Sequence, residues 1–351
     1  MVSIESLSIA VRASALQHSR EDYVGLVENS HVYEVISPTP LSLAIHLGRR
    51  ADVGRTVLLK REDTLPIFSF KLRGAYNKLR SLGAEARRGV ITCSAGNHGQ
   101  GVAFSAGHLQ IPSVIVMPQN TPQIKLDNVA RLGGKVVVSG HDFDAAQSEA
   151  QRMADENNLT YIPPFDDPYV IAGQGTIGKE IIEQVQDEYD LSNVEAILCS
   201  VGGGGLIAGV GAYVKSVAPH VRIVGVQPEH CNAMSQSLEL GKPLVLETVD
   251  TFADGVAVRR VGRETFRLAR EVVDEMILVS TQEICQAIKE MHLETRSILE
   301  PAGALPLAGL TKYARRHPPP SYSKSAKVVI CVTSGANMDF EQLQFAISHV
   351  K

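Results

Sequence analysis

The stretch Ala196-Ile197-Leu198-Cys199-Ser200-Val201-Gly202-Gly203-Gly204-Gly205-Leu206-Ile207-Ala208-Gly209 decides how this chain folds. Its first half is a short apolar run that reads as a buried strand, and its second half opens a helix. The glycines are therefore a strand-to-helix turn. Four in tandem carry a heavy conformational entropy cost, which a close approach of backbone to ligand offsets. With no Cβ in the way, successive N–H groups converge at the positive end of the helix and form a seat for an anion, a phosphate above all. The same loop satisfies a dinucleotide fingerprint, Gly203-x-Gly205-x-x-Ala208, with Glu229 about 20 residues on as a ribose-binding acid. The loop alone serves either ligand, so a nicotinamide-dependent oxidoreductase stands as the rival reading.

Outward from this turn, β-branched runs alternate with longer segments of helical period: 56–60, 90–93, 113–117, 135–139, 196–201, 222–227, 276–279 and 327–333. Runs such as Val114-Ile115-Val116 and Val136-Val137-Val138 are apolar on both faces, which suits parallel strands covered by helices. The expected fold is α/β, with two open, mostly parallel twisted sheets flanked by helices. No low-complexity linker divides the chain, and its one proline patch, His317 to Pro320, precedes the last strand.

Composition narrows the function. With 351 residues, 44% of them hydrophobic, there is core material for two domains, or one domain with a sizeable insertion, in a soluble globular protein. A net charge of −4 gives no footprint for nucleic acid or an anionic membrane, so a small-molecule partner is expected. Five cysteines form no C-x-x-C pair and lie mostly in or beside apolar runs, as reduced core thiols do. Arg12, Arg20 and several serines give the first residues a faint leader character that Glu5 weakens. A cytoplasmic location is expected, with a mitochondrial one as the alternative.

Lys71, in Ser69-Phe70-Lys71-Leu72-Arg73-Gly74-Ala75, stands at a second strand-to-helix turn. A lysine there is either a solvated helix-start charge or a desolvated amine ready for Schiff-base chemistry. Two more turns resemble it. Thr92-Cys93-Ser94-Ala95-Gly96-Asn97-His98-Gly99 offers N–H donors, a hydroxyl and an amide suited to a carboxylate, although Ser94 or Asn97 would also serve as a helix cap and His98 as a packed histidine. Thr333-Ser334-Gly335-Ala336-Asn337 puts a hydroxyl at the carboxyl end of a strand, where ligands of parallel sheets bind, or caps the helix that follows.

These four motifs, in this order and spacing, resemble the fold-type II pyridoxal phosphate enzymes, and within them the catalytic domain of the threonine dehydratases. The resemblance runs from about Ile36 to Asn337. It implies a large cofactor-binding domain of residues 1–88 and 169–351, with a smaller α/β domain of residues 89–168 inserted. It implies pyridoxal 5'-phosphate as cofactor and Lys71 as its Schiff-base lysine. Phe70 would flank the ring, Asn97 would bond the ring 3'-oxygen, and Ser334 would face the ring nitrogen. Gly202, Gly203, Gly204, Gly205 and Leu206 would hold the phosphate, with Glu300 near the cofactor. Ser94, Ala95, Gly96, Asn97 and His98 would take the substrate carboxylate.

The implied reaction is α,β-elimination of L-threonine, and of L-serine, to 2-oxobutanoate or pyruvate and ammonia. Lys71, Ser94 and Ser334 would be the catalytic set. Serine racemase is similar too, but it places a serine where this chain has Ala95, and a methyl group delivers no proton. Leu65-Pro66-Ile67-Phe68 replaces the usual polar run, which leaves a larger 3-hydroxy amino acid open. The cation site of racemase-like members would use Glu229 and the carbonyl of Ala233, but Ser235 stands where its second carboxylate belongs, so only a weak site is expected. A homodimer or homotetramer is a further family expectation. The chain ends soon after Phe340, where biosynthetic relatives continue into a regulatory domain, so no such domain and no inhibition by isoleucine are expected.

Overall fold

The computed structural model describes residues 18–50, 53–318 and 327–350. The leader-like features at Glu5 and Arg12 and the end of the proline patch lie outside these residues. In chain order the strands are β1 (Leu41–Leu43), β2 (Thr56–Arg61), β3 (Val90–Cys93), β4 (Ser113–Met117), β5 (Lys135–Val138), β6 (Thr160–Tyr161), β7 (Val194–Ser200), β8 (Arg222–Pro228), β9 (Glu275–Val279) and β10 (Val328–Thr333). One sheet has the order β1-β2-β10-β7-β8-β9 and the other β5-β4-β3-β6. Every pairing is parallel except that of β1 with β2.

Alternation along the central strands feeds two cores. In β7, Ala196 and Leu198 pack with the helices of the C-terminal third, while Ile197 and Cys199 pack with helices Pro168–Glu188 and Gly205–Val217. In β10, Val329 and Cys331 join the first set and Val328, Ile330 and Val332 the second. Both faces are covered, which is why these runs show no polar alternation. The smaller sheet repeats the pattern, with Val90 and Ile115 in one core and Ile91 and Val116 in another.

Two expectations change. β1 and β6 have three and two residues, too short to display a period, and were not foreseen from the pattern. Val136-Val137-Val138 is not covered on both faces: β5 is an edge strand paired only with β4, and Val138 is exposed.

The helix that carries Lys71, Lys71–Leu82, is anchored from inside. Arg73 is fully buried; its Nε and Nη2 donate to Glu62 at 2.7 and 2.8 Å and its Nη1 to Glu180 at 2.5 Å. Lys60 on β2 completes the cluster, donating to Glu180 at 2.6 Å. Two cations face two carboxylates, and breaking such a buried set by removing one partner costs about 3–5 kcal/mol. The helix start is thus pinned to β2 and to the Pro168–Glu188 helix.

Candidate active site

The loops that follow β2, β7 and β10 meet at the carboxyl ends of the larger sheet. From β7 the chain proceeds to β8 and β9 on one side, while β10 and β2 lie on the other. The crevice between β7 and β10 is therefore a topological switch point, where open α/β sheets bind ligands. The cavity there is lined by Ser69, Phe70, Lys71 and Ser334, by Ser200 and glycines 202–205 with Leu206, and by Asn97 and Glu300 from across it.

Lys71 is the first residue of its helix, and its Nζ donates to the carbonyl of Pro164 at 2.6 Å. Desolvation lowers its pKa to about 8. An amine so placed is neutral far more often at physiological pH than an ordinary lysine, as a nucleophile must be.

The glycine loop is shaped from behind. A Cβ on Gly203 would lie 2.3 Å from the ring of Phe165, and Gly204 has φ +99°, a conformation side chains disfavour. The Gly203 carbonyl accepts from Thr265 Oγ1 at 2.6 Å. Since the two ends of a peptide unit point oppositely, the N–H of Gly204 is aimed away from Thr265. The Gly205–Val217 helix begins at once, so its unpaired N–H groups add to the same anion seat.

Ser334 does not cap a helix. The next helix, Phe340–Ser348, is capped by Asp339, and Ser334 Oγ instead accepts the N–H of Phe70 at 3.0 Å. With that lone pair used, the hydroxyl hydrogen remains for a ligand. Phe68, in the left-handed region at φ 58°, turns its carbonyl to accept the N–H groups of Gly335 at 2.9 Å and Ala336 at 3.1 Å. In the run that precedes Ser69, Leu65 and Ile67 are buried core residues, whereas Pro66 and Phe68 are exposed.

The turn after β3 is likewise not capped by its polar residues. Gly96 occupies the cap position of helix Asn97–His108, Ser94 Oγ accepts the Gly96 N–H at 3.2 Å, and Asn97 Nδ2 donates to Glu300 Oε1 at 2.6 Å. Of the predicted carboxylate loop, only Asn97 lines the cavity; Ser94, Ala95 and Gly96 are half-buried beside it. His98 is buried, with Nε2 3.1 Å from the Ile162 carbonyl, and burial, aided by the charge of Lys71, lowers its pKa to about 3. It is a neutral packed histidine.

Glu300 precedes helix Pro301–Arg316 without capping it, because its carboxyl turns into the cavity. There it also accepts the N–H of Asn337 at 3.1 Å. Burial, with the charge of Asp254 adding to it, raises its pKa to about 7. Phe165, Val256, Thr265 and Asn337 were missed from sequence. Only Phe165 carried a signal, an aromatic directly after Pro163-Pro164.

Glu229 lies outside this site. It is exposed and 3.8 Å from Lys312, while Ala233 is buried at the start of helix Ala233–Leu240. Among the described residues no group of three or more His, Cys, Asp or Glu side chains could hold a metal ion.

A family model described as pyridoxal-phosphate dependent enzyme matches residues 32–335. The chain belongs to the pyridoxal-phosphate dependent enzyme family. Membership decides against the nicotinamide reading of the glycine loop. The chain is 53% identical over 326 residues to the mitochondrial threonine dehydratase of Saccharomyces cerevisiae, covering 92% of this chain and 55% of that protein. In structure it is similar to processed threonine deaminase isoform 2 of Solanum lycopersicum, with TM-score 0.88, 45% identity and coverage of 94% and 88% of the two chains. Serine racemase of Dictyostelium discoideum follows at TM-score 0.81 and 30% identity, with coverage of 93% and 100%. The chain spans about half the length of the curated relatives it matches first. The family's cofactor is pyridoxal phosphate, and the site has the parts to fit it: a glycine-lined anion seat, a desolvated amine and a hydroxyl in one cavity. No helix among the described residues is long and apolar enough to cross a membrane.

Proposed function

We propose that this chain catalyses α,β-elimination of L-threonine, with L-serine as a second substrate, releasing 2-oxobutanoate or pyruvate and ammonia. The observation that carries the reading is the amine of Lys71, its pKa lowered to about 8 by desolvation, in one cavity with the glycine loop and Ser334. Similarity to threonine dehydratases supports the substrate. A one-methyl difference is worth only about 1–3 kcal/mol, so serine is accepted.

Glycines 202–205 and Leu206, which line the cavity, would hold the cofactor phosphate through their N–H groups, and Phe70 would wall the ring. When bound, the cofactor would supply an aldehyde for the amine of Lys71 and a sink for the electrons of the substrate Cα. Lys71, its amine set free when the substrate amino group takes its place, would take the Cα proton. Ser334, whose Oγ accepts from Phe70, would offer its hydroxyl hydrogen as a hydrogen bond to the ring nitrogen without giving up the proton, an arrangement that suits loss of the β-hydroxyl. Water lost from the substrate is regained when the enamine product tautomerises and hydrolyses, so the net products are the oxo acid and ammonia. The turn Ser94 to His98 receives the substrate carboxylate. Ala95 has no proton to give on the face opposite Lys71, which favours elimination over racemisation.

The proposal includes a large domain of residues 1–88 and 169–351 with residues 89–168 inserted, a homo-oligomer, and a reducing compartment such as the cytoplasm. All five cysteines are free and buried, in keeping with such a compartment. The test is ammonia release from a panel of 3-hydroxy amino acids. Lys71→Ala should lose both ammonia release and the visible absorbance of the bound cofactor; turnover that survives the substitution would overturn the reading.

A further inference from the structure

We propose that Asn337 is a positioning residue that fixes which end of the Asn97 amide faces the cofactor ring, an inference that rests on the cofactor placement given above. The Asn337 Nδ2 makes two bonds, to the carbonyl of Ile67 at 2.9 Å and to Asn97 Oδ1 at 2.7 Å. The orientation of a side-chain amide follows from its partners, and one of these admits a single solution. A main-chain carbonyl only accepts, so Asn337 must present its NH2 group to Ile67. The second hydrogen of that group then points at Asn97, which must answer with its oxygen.

With the oxygen of Asn97 so held, its NH2 group faces the other way. One hydrogen goes to Glu300 Oε1 at 2.6 Å. The second is left for the cavity that Asn97 lines. Glu300 closes the ring of contacts by accepting the main-chain N–H of Asn337 at 3.1 Å. The result is an N–H donor set toward the ring 3'-oxygen before any ligand arrives. If the amide were reversed, an acceptor would face the ring oxygen, and the bond would become a repulsion. Asn337 touches no reacting atom; it acts through Asn97.

The experiment measures the dissociation constants of pyridoxal phosphate and of its 3-deoxy analogue for the intact protein, for Asn337→Asp and for Asn337→Ala. The wild type should bind the analogue about tenfold more weakly, the worth of one well-placed hydrogen bond. Asn337→Asp, which faces Asn97 with an acceptor and calls for its NH2 group, should weaken pyridoxal phosphate about tenfold and leave the analogue almost unchanged. Asn337→Ala, which frees the amide to choose, should fall between. A purely structural role would weaken both ligands equally, with Ala at least as damaging as Asp, and that pattern overturns the proposal. If Asn337→Asp does not fold, the ratio of the two ligands in Asn337→Ala decides in the same way. If neither variant folds, equal binding of the two ligands by the wild type still overturns it. A wild type that takes up pyridoxal phosphate without visible absorbance, or whose absorbance survives Lys71→Ala, would refute the cofactor placement itself and the proposal with it.

Discussion

Glu300 binds its proton more tightly in the folded protein than in the unfolded chain, because its carboxyl is buried and Asp254 stands nearby. Its contribution to stability is therefore complete below pH 4.5, its ordinary value, and is lost as pH rises through about 7. Against Glu300→Gln, which cannot ionise, the wild type should lose up to about 1.4 kcal/mol per pH unit across that window. Tm of the cofactor-free proteins measured from pH 4.5 to 7.5 checks this, and parallel curves would show that Glu300 ionises like any surface carboxyl. Ala95→Ser should restore a proton donor opposite Lys71, raising D-serine formation from L-serine at least about a hundredfold, read by chiral chromatography. If the turn places no group over Cα, no D-serine will appear. Lys71 was legible only through its companion motifs, since a lysine that opens a helix is by itself an ordinary surface charge. Asn337 and Thr265 were not, since one polar residue after a strand or at a helix start has many ordinary uses, and only contacts from distant segments separate them.

The glycine loop was legible as an element, but its reason for being glycine lies outside it. Phe165, which follows β6, fills the space where a Gly203 side chain would go. Gly203→Ala should lower cofactor affinity at least about tenfold, as overpacking of about 1–3 kcal/mol displaces the N–H groups. Adding Phe165→Ala should recover part of the loss, and equilibrium dialysis of both variants measures it; no recovery would mean that the ring does not shape the loop. Strands with continuous apolar runs were read nearly to their ends, since helices cover both faces. The short β1 and β6 escaped because a strand of two or three residues has no period. β5 showed the converse: its valines imply cover, yet its place at the edge leaves Val138 exposed.

At the scale of the whole molecule, the strands of the smaller sheet all fall between residues 90 and 161, and ion pairs from its flanking helices reach the larger part. Lys125, in helix Gln123–Arg131, meets Asp254 beside the cavity wall at Gly255 and Val256, and Arg259 lies 3.3 Å from Asp144. Partly exposed pairs contribute under about 1 kcal/mol to stability, so Lys125→Ala should leave Tm nearly unchanged. It should raise KM about two- to fivefold and weaken the dependence of KM on salt, since such a pair is screened by added ions. Identical KM values at low and high salt would show that the contact plays no part in shaping the site. Neither pair could be read from the sequence, because they join segments more than a hundred residues apart. The bonds from Phe68 and Phe70 to the loop of residues 334–336 have a different consequence. They tie the hydroxyl of Ser334 to the backbone that carries Lys71, so the two ends of the cavity form a gauge of fixed span. With the cofactor placed as proposed, such a gauge should reject an analogue whose aldehyde and ring nitrogen are wrongly spaced, however well its phosphate is held, and should keep its calibration while the surrounding core is repacked.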